Sequence, residues 1–382
     1  MAPTGSSVGL AVLLAAAVAC ASPARTPTST TAPGAAAPSG PAPASAPAAA
    51  PSPAAPSGGA APPEPVHIVA SHLPATHSGG LYIAYERGYF AEQGLDVDLE
   101  PSFASSEALT MLNSGALDVY GGATGANLYN AVQRGVHLRA VADKAHSEPG
   151  IKYKAIMARK DLWDSGAVRT MADLRGRPFG GLPGGGSTEY QSEKLLQTGG
   201  VLFSEVDFKP LNTPDQLAAL SNKSIDAVFT FQPALCTAER LGLGVAMPPY
   251  MDDIAPGLEG GVINYGEQFM RDKTQAARGF MVAYVHALRD YNDAQLYNVN
   301  RPLIVDILQK YVNLPDLSYY DDCEWGRLYP DGHINRASIE DEIQWSVKAG
   351  FMDRPISVDQ IVDDQWVEYA GQQLGPYQPG GR

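Results

Sequence analysis

The sequence predicts an α/β protein with a largely parallel sheet and a second, smaller domain of the same kind inserted in the first. Three observations carry this. From Val66 onward, short apolar runs alternate with helix-patterned runs, the pattern of βαβ units. The order strand, glycines, hydroxyl, helix occurs at residues 118–133 and again at 178–197. The alternation then restarts on a smaller scale over residues 155–248, before a mostly helical remainder.

In chain order, residues 66–70 read as the first strand and 71–77 as a loop. Ser78 is placed to cap a helix over 81–90, which Gly94 stops. Residues 95–99 alternate leucine or valine with aspartate, the period of a half-buried strand. Ser105 or Ser106 opens a helix over 107–113 that Gly115 ends. Residues 118–122 form a third strand, and Thr124 caps a helix over 128–133 closed by Gly135. Strands follow at 138–142 and 153–158, then a short helix at 171–174. Residues 178–182 read as a buried strand feeding the loop 183–191, where Thr188 and Gln191 have capping-box spacing. A helix over 192–197 stops at Gly199. A strand at 206–210, a helix at 214–220 and a strand at 226–230 follow. Pro233 then suits the first position of a helix ending at Gly242. Residues 269–291 carry Phe280, Tyr284, Ala287, Leu288 and Tyr291 on one helical face, and helices at 301–311, 338–349 and 358–374 complete the chain. Aromatics at that period read as core.

The N-terminus is of another kind. Residues 1–20 are read as a lipoprotein-type signal peptide: a short apolar core, too short to span a bilayer, ends in Ala17-Val18-Ala19-Cys20. Ala17 stands where such boxes usually carry leucine, and no Lys or Arg precedes the core. Lipidation of Cys20 and simple secretory cleavage near Ala19 or Ala21 are therefore both compatible with it. Residues 21–65 are almost entirely Ala, Pro, Ser, Thr and Gly, a composition suited to an extended, disordered tether. The net charge of −14 argues against a nucleic-acid partner. After Cys20 only Cys236 and Cys323 remain. Cys236 falls in a helical pattern, so a buried free thiol is expected ahead of a disulfide.

The glycine loop 183–191 is the feature from which a site is argued. Glycines there permit positive φ and close approach of a guest, and a helix N-terminus presents free N–H groups. It is not a P-loop, because Ser187 stands where the lysine belongs. It is not a dinucleotide fingerprint either, because Glu189 occupies the third glycine position.

Several further stretches carry a family resemblance. Gly88-Tyr89-Phe90-Ala91-Glu92-Gln93-Gly94-Leu95-Asp96-Val97 and Leu117-Asp118-Val119 come first. Asp173-Leu174-Arg175-Gly176, Asp226-Ala227 ahead of Gln232-Pro233, Gly350-Phe351-Met352-Asp353 and Val362-Asp363 follow. Together, over residues 66–372, they resemble the substrate-binding proteins of nitrate/sulfonate/taurine-type ABC importers, the NMT1/THI5-like family. That resemblance implies a two-lobed, venus-flytrap fold of the periplasmic-binding type II class. Its crossovers are expected near residues 147–156 and 246–262, with residues 66–150 and 255–382 as one lobe and 151–254 as the other. It also implies a small-molecule ligand trapped between the lobes and an ABC permease with its ATPase as partner; with the signal segment and tether, a monomer is expected, exported to the periplasm or cell exterior and held to the membrane through a lipid on Cys20.

In open α/β sheets ligands sit at the carboxyl ends of strands. Four such loops supply the candidate ligand contacts: Ser71, His72 and His77; Gly122, Ala123, Thr124 and Asn127; Gly184, Gly185, Gly186, Ser187 and Thr188; and Phe231 with Gln232. Tyr265 joins them. Tyr120, Tyr129, Tyr190 and Phe229 are further aromatics near the loops. Lys144 and Arg159 are the nearest cations, both expected at the surface. His72 and His77 alone make a poor metal site, so no metal and no cofactor is expected; one is read as pocket-lining and the other as solvent-facing. Beyond the signal segment, where Gly5-Ser6-Ser7-Val8-Gly9 has the spacing but lies ahead of the folded region, no Gly-x-Ser-x-Gly elbow occurs, and no His-Glu-x-x-His occurs at all. The pyrimidine synthases of the same fold carry a dense His-Cys-Cys-Cys motif that this chain lacks. A non-catalytic binder is expected, with a THI5-like pyrimidine-precursor enzyme or an anchored ligand sensor as the alternatives. The ligand is left as an alkyl- or arylsulfonate, nitrate or bicarbonate, or a pyrimidine or flavin precursor.

Overall fold

Ten strands form two five-stranded sheets in a computed structural model that describes residues 64–101, 105–183 and 185–381. Cys20, the signal and tether up to residue 63, and Gly184 lie outside the described residues. The first sheet has the order β2-β1-β3-β10-β4, from Leu95–Pro101, Val66–His72, Val119–Gly122, Glu259–Gly266 and Leu138–His146. The second has the order β7-β6-β8-β5-β9, from Asp207–Pro210, Pro178–Gly181, Ala227–Phe231, Lys154–Arg159 and Gly244–Ala246. Helices cover both, so the protein is α/β and two-lobed, one lobe per sheet.

The sheets are mixed, which corrects the expectation of a largely parallel one. β1 pairs in parallel with β2 and β3, but β10 runs antiparallel to both β3 and β4. In the second sheet β5 runs antiparallel to β8 and β9. Sequence reading missed β10 for a physical reason. It lies inside its sheet, buried along nearly its whole length, and so carries no alternation. Its glycines at 260, 261 and 266 also read as breakers.

The chain crosses from one sheet to the other twice, between His146 and Lys154 and between Ala246 and Glu259. The crossovers are bonded to each other: Ser147 N donates to Leu258 O at 3.0 Å, and Gly257 N to Ser147 O at 2.7 Å. The buried Asp252 carboxylate accepts from Tyr153 N at 2.9 Å and Lys154 N at 3.1 Å. Satisfying backbone groups this way is what lets the two connections pass each other where they are buried, at Ser147, Tyr153 and Leu258.

The first lobe packs around helix Thr274–Tyr297, whose aromatic face contributes Phe280, Tyr284 and Tyr291 to its core as the period predicts. The second lobe has smaller cores around Phe179, Ile156 and Met247, and around Met157 and Leu235. Cys236 is the single residue of residues 151–254 within the first lobe's main cluster. It is disulfide-bonded to Cys323, with 5.9 Å between the Cα atoms, which corrects the expectation of a free thiol. The pairing depends on helix Ala234–Arg240 docking against the segment after Tyr319–Asp322, 87 residues away, and local sequence carries no trace of that. Arg240 reinforces the dock: its guanidinium lies 3.9 Å from the Tyr319 ring centroid and donates to Ser318 Oγ at 3.0 Å.

Candidate functional site

A cavity of about 600 Å³ lies where the two sheets face each other, in the size range of small-molecule sites. The first lobe contributes Leu73, His77, Tyr120, Gly121, Gly122, Ala123, Asn127 and Lys144 among others. The second contributes Lys154, Leu182, Pro183, Ser187, Thr188, Gln191, Asn212, Phe229 and Phe231. Tyr153 at the end of the first crossover, and Gly260 and Gly261 just after the second, complete the lining.

Two helices end on this cavity, Ala126–Gln133 from the first lobe and Ser187–Leu196 from the second. Neither begins as its sequence suggests. The second starts at Ser187, five residues before the expected point, with Gly186 at its cap. The capping contact runs from Gly186 N to Glu189 Oε2 at 2.9 Å, so the Thr188–Gln191 capping box does not form. Gln191 instead donates from Nε2 to Ser187 Oγ at 3.1 Å. Thr124 likewise does not cap the first helix. Gly125 takes that place, and Thr124 Oγ1 points to Glu259 O at 3.4 Å. Neither Gly125 nor Ser78 makes a side-chain cap hydrogen bond.

The glycine loop has a part its sequence does not announce. Gly185 and Gly186 do not line the cavity; they face the other lobe. Asn127 N donates to Gly185 O at 3.2 Å. A Cβ on Gly185, whose φ is +56°, would stand 1.9 Å from Asn127 Nδ2, and one on Gly186, at φ +108°, 3.2 Å from Ala126 N. The missing side chains let the two helix starts meet head to head.

Of the other candidate residues, His77, Gly122, Ala123, Asn127, Ser187, Thr188 and Phe231 come together on the cavity wall. Ser71 and His72 are buried behind it, and His72 Nδ1 shares a 2.9 Å hydrogen bond with Tyr82 Oη. The solvent-facing histidine is thus a misreading, since both histidines are buried. Gln232 turns back to Lys152 O and Cys236 N. Tyr265 belongs to the first core, its hydroxyl donating to Ala277 O at 3.0 Å. Tyr129 and Tyr190 point to Glu342 and Asp341 of helix Arg336–Lys348, away from the cavity, whereas Tyr120 and Phe229 line it. Arg159 pairs with Asp226 and Asp161 at the far end of β5.

Lys144 departs most from its expectation. β4 runs on to His146, past the predicted end of the strand, and carries Lys144 inward. The residue is 2 % exposed and lines the cavity. Its stem lies against Gly121, where a Cβ would approach Lys144 Cε to 3.0 Å. Burial pulls its pKa down to about 7, against a smaller opposing pull from Asp143. Lys154, the other cation of the lining, sits 3.5 Å from Ser147 Oγ; burial lowers its pKa too, but Asp252 and Glu259 oppose that. His77 shares a hydrogen bond of 2.5 Å with Tyr153 Oη, and burial together with the two lysines holds it neutral. Around this floor, Glu342 is pushed up to about 7 by burial, and Glu259 is raised well above the usual carboxylate range by burial and by Asp143. No Asp or Glu lines the cavity among the described residues. No group of three or more potential metal ligands occurs among them either.

Comparison with known proteins is consistent with this architecture. A family model described as NMT1/THI5 like matches residues 75–293. The ligand-binding component of an ABC-type import system from Staphylococcus aureus, solved with zinc bound, superposes with a TM-score of 0.64 at 18 % identity, covering 80 % of this chain and 99 % of its own. The periplasmic aliphatic sulphonate binding protein SsuA of Escherichia coli gives 0.61 at 18 % identity, with the same coverage. The desulfurization enzyme DSZB gives 0.55 at 14 % identity, covering 81 % of this chain and 99 % of its own. At these identities the superpositions speak for the fold. No curated protein matches the chain.

Proposed function

Because the chain belongs to the NMT1/THI5-like family, we propose that it is the extracytoplasmic solute-binding component of an ABC importer, closing two lobes on a small molecule and presenting it to a permease and its ATPase. The observation that carries this reading is the cavity itself. It lies between the lobes, takes its lining from both, and reaches Tyr153 at the end of one crossover and Gly260 just past the other. Such a geometry binds by closing. Residues 66–150 with 255–382 then move as one lobe and 151–254 as the other.

The reading is non-catalytic. The enzyme among the structural neighbours has been solved as a cysteine-to-serine mutant in complex with biphenyl-2-sulfinic acid. Here both cysteines among the described residues are tied to each other, and neither lines the cavity. His77, the one histidine of the lining, is engaged by Tyr153. In the same reading the Ala17-Val18-Ala19-Cys20 box makes Cys20 a lipid-anchored N-terminus, and the tether a leash holding the lobes near the membrane. The protein acts there as a monomer.

A thermal-shift screen over sulfonates, carboxylates, nitrate, bicarbonate, pyrimidines and flavins tests the binding function, because a ligand of the folded state alone raises the melting temperature. A hit should also shrink the radius of gyration in small-angle scattering. A panel with no hit and no compaction would count against the flytrap reading. Mass spectrometry of detergent-extracted protein checks the anchor: an unmodified N-terminus at Ala21 or beyond rules it out.

A further inference from the structure

We propose, resting on the solute-binding reading above, that the ligand is an organic anion, a carboxylate or sulfonate on an aromatic or other apolar body, and that Lys144 is the residue that selects its charge. Four observations converge on this.

The first is an unanswered cation. Lys144 is almost completely buried, and although the charge of the adjacent Asp143 acts on it, none of the described residues accepts a hydrogen bond from its ammonium or forms an ion pair with it. A buried charge without a partner is costly, and proteins retain one where something else completes the pair. The site is built for it: Gly121 leaves room for the lysine stem along the wall. The other lysine is a different case. Lys154 lies in the field of Asp252, Glu259 and Glu342, so its charge is answered within the protein.

The second is the sign of the whole enclosure. The chain carries a net charge of −14, but among the described residues its cavity presents two lysines and no carboxylate. A neutral or cationic guest has no use for that reversal. The third is the pair of helix starts that meet at the cavity edge, of eight and ten residues, contributing Asn127, Ser187 and Thr188 to the wall. The first helix, which has no acidic residue in its first turn, points the positive end of its dipole there and favours an anion, while the Glu189 carboxylate already sits against Gly186 N at the start of the second.

The fourth is size and surface. A cavity of about 600 Å³ is far larger than a four-atom oxyanion, given that a water molecule takes roughly 30 Å³ in the liquid. Tyr120, Phe229, Phe231, Leu73 and Leu182 supply an aromatic and aliphatic wall that suits a flat or apolar body. Nitrate and bicarbonate leave that wall unused. A neutral pyrimidine leaves Lys144 unpaired.

Calorimetry on the oxidised chain with benzenesulfonate, benzoate, benzamide, benzylamine and nitrate separates these cases. Either aryl anion should bind at least tenfold more tightly than benzamide, and the ratio of the two tells a sulfonate site from a carboxylate site. Nitrate and benzylamine should bind more weakly than both. In Lys144→Met the preference for anions should vanish while benzamide affinity stays within twofold. Lys144→Gln, which keeps a polar tip, should behave in the same way, so the conclusion survives if one variant folds poorly. Equal binding of benzamide and benzoate by the wild type, or an anion preference that persists in both variants, overturns the charge assignment and leaves the solute-binding reading intact. If none of the five binds the wild type, the charge assignment is overturned, and the wider thermal-shift panel alone decides the solute-binding reading.

Discussion

Adding one methyl group to Gly185 should weaken ligand binding without touching the ligand. In Gly185→Ala the new Cβ meets Asn127 of the other lobe at 1.9 Å from Nδ2 and 2.2 Å from Cγ. Two costs follow, and they separate cleanly. Holding alanine at φ +56° costs about 1–2 kcal/mol, but it does so whether the lobes are open or closed, so it lowers stability and leaves closure alone. The collision exists only in the closed form. Asn127 must leave its rotamer, at about 0.5–1.5 kcal/mol, and the Asn127 N to Gly185 O bond is lost, at about another 0.5–1.5 kcal/mol. The sum of about 1–3 kcal/mol corresponds to affinity weaker by about five- to hundredfold, at 1.4 kcal/mol per decade. Gly185→Val should exceed this. The assay is titration calorimetry on wild type, Gly185→Ala, Asn127→Ala and the double variant, read as a cycle. Asn127 also lines the cavity, so its own variant shifts affinity; the cycle removes that shift and leaves the coupling. Gly185→Ala should lose far less in the Asn127→Ala background. If it loses the same factor in both backgrounds, the interlobe contact is not what the glycine serves.

Four further outcomes are expected. With the Lys144 pKa near 7 in the free protein, an aryl anion meets its charged partner only at lower pH, so the dissociation constant for benzenesulfonate should rise about tenfold per pH unit above 7 and level off in Lys144→Met. The stability sign is opposite: between about 7 and the ordinary lysine value the unfolded chain binds more protons, so this residue makes the ligand-free protein more stable as pH rises, visible as an upward drift of the urea midpoint that the Met variant lacks. Cys323→Ser should cost about 2–4 kcal/mol in urea, and reduced wild type should match it; a loss below about 1 kcal/mol in both would show that the link closes no entropically costly loop. Tyr129→Phe removes the 2.6 Å hydrogen bond to the buried Glu342, whose pKa near 7 means that stability falls as pH rises from about 4.5 to 7. The variant should lag wild type by about 1–3 kcal/mol, more at pH 8 than at pH 5, and a gap independent of pH would contradict the assignment.

The sequence was informative where local rules decide. Leu95 to Leu99 alternates because β2 lies at a sheet edge with one face wet, and its strand forms where expected. Gly94, Gly115 and Gly135 take positive φ at helix ends, as their positions suggest, whereas Gly88, inside the helix expected over 81–90, breaks it into Gly79–Glu86 and Tyr89–Glu92. Helix Thr274–Tyr297 follows its aromatic period. What stayed hidden depends on distant partners. β10 looks like a glycine-rich connection until β3 and β4 flank it. Lys144 looks like a surface residue until β4 is seen to be buried on both faces. A lysine among alanines, Ala142 and Ala145, within two residues of a strand end was the available hint. Tyr265, Tyr190 and Tyr129 stand near the right loops in sequence, but side-chain direction, which no spacing fixed, takes them elsewhere. Gly185 was legible as a special backbone position. That its neighbour across the gap is Asn127 was not.

The bond between Cys236 and Cys323 has a topological consequence. The 87-residue span between the two cysteines contains the second crossover, so bond and crossover together close a covalent ring that threads both lobes. A protease cut anywhere in residues 247–258 opens that ring without releasing either half, and a nicked molecule should run as one species until reductant is added. The ring's two ends lie on helix Ala234–Arg240 of one lobe and just after Tyr319–Asp322 of the other, and they join only where thiols oxidise. Counting free thiols by alkylation therefore reports what fraction of the molecules carries the closed ring.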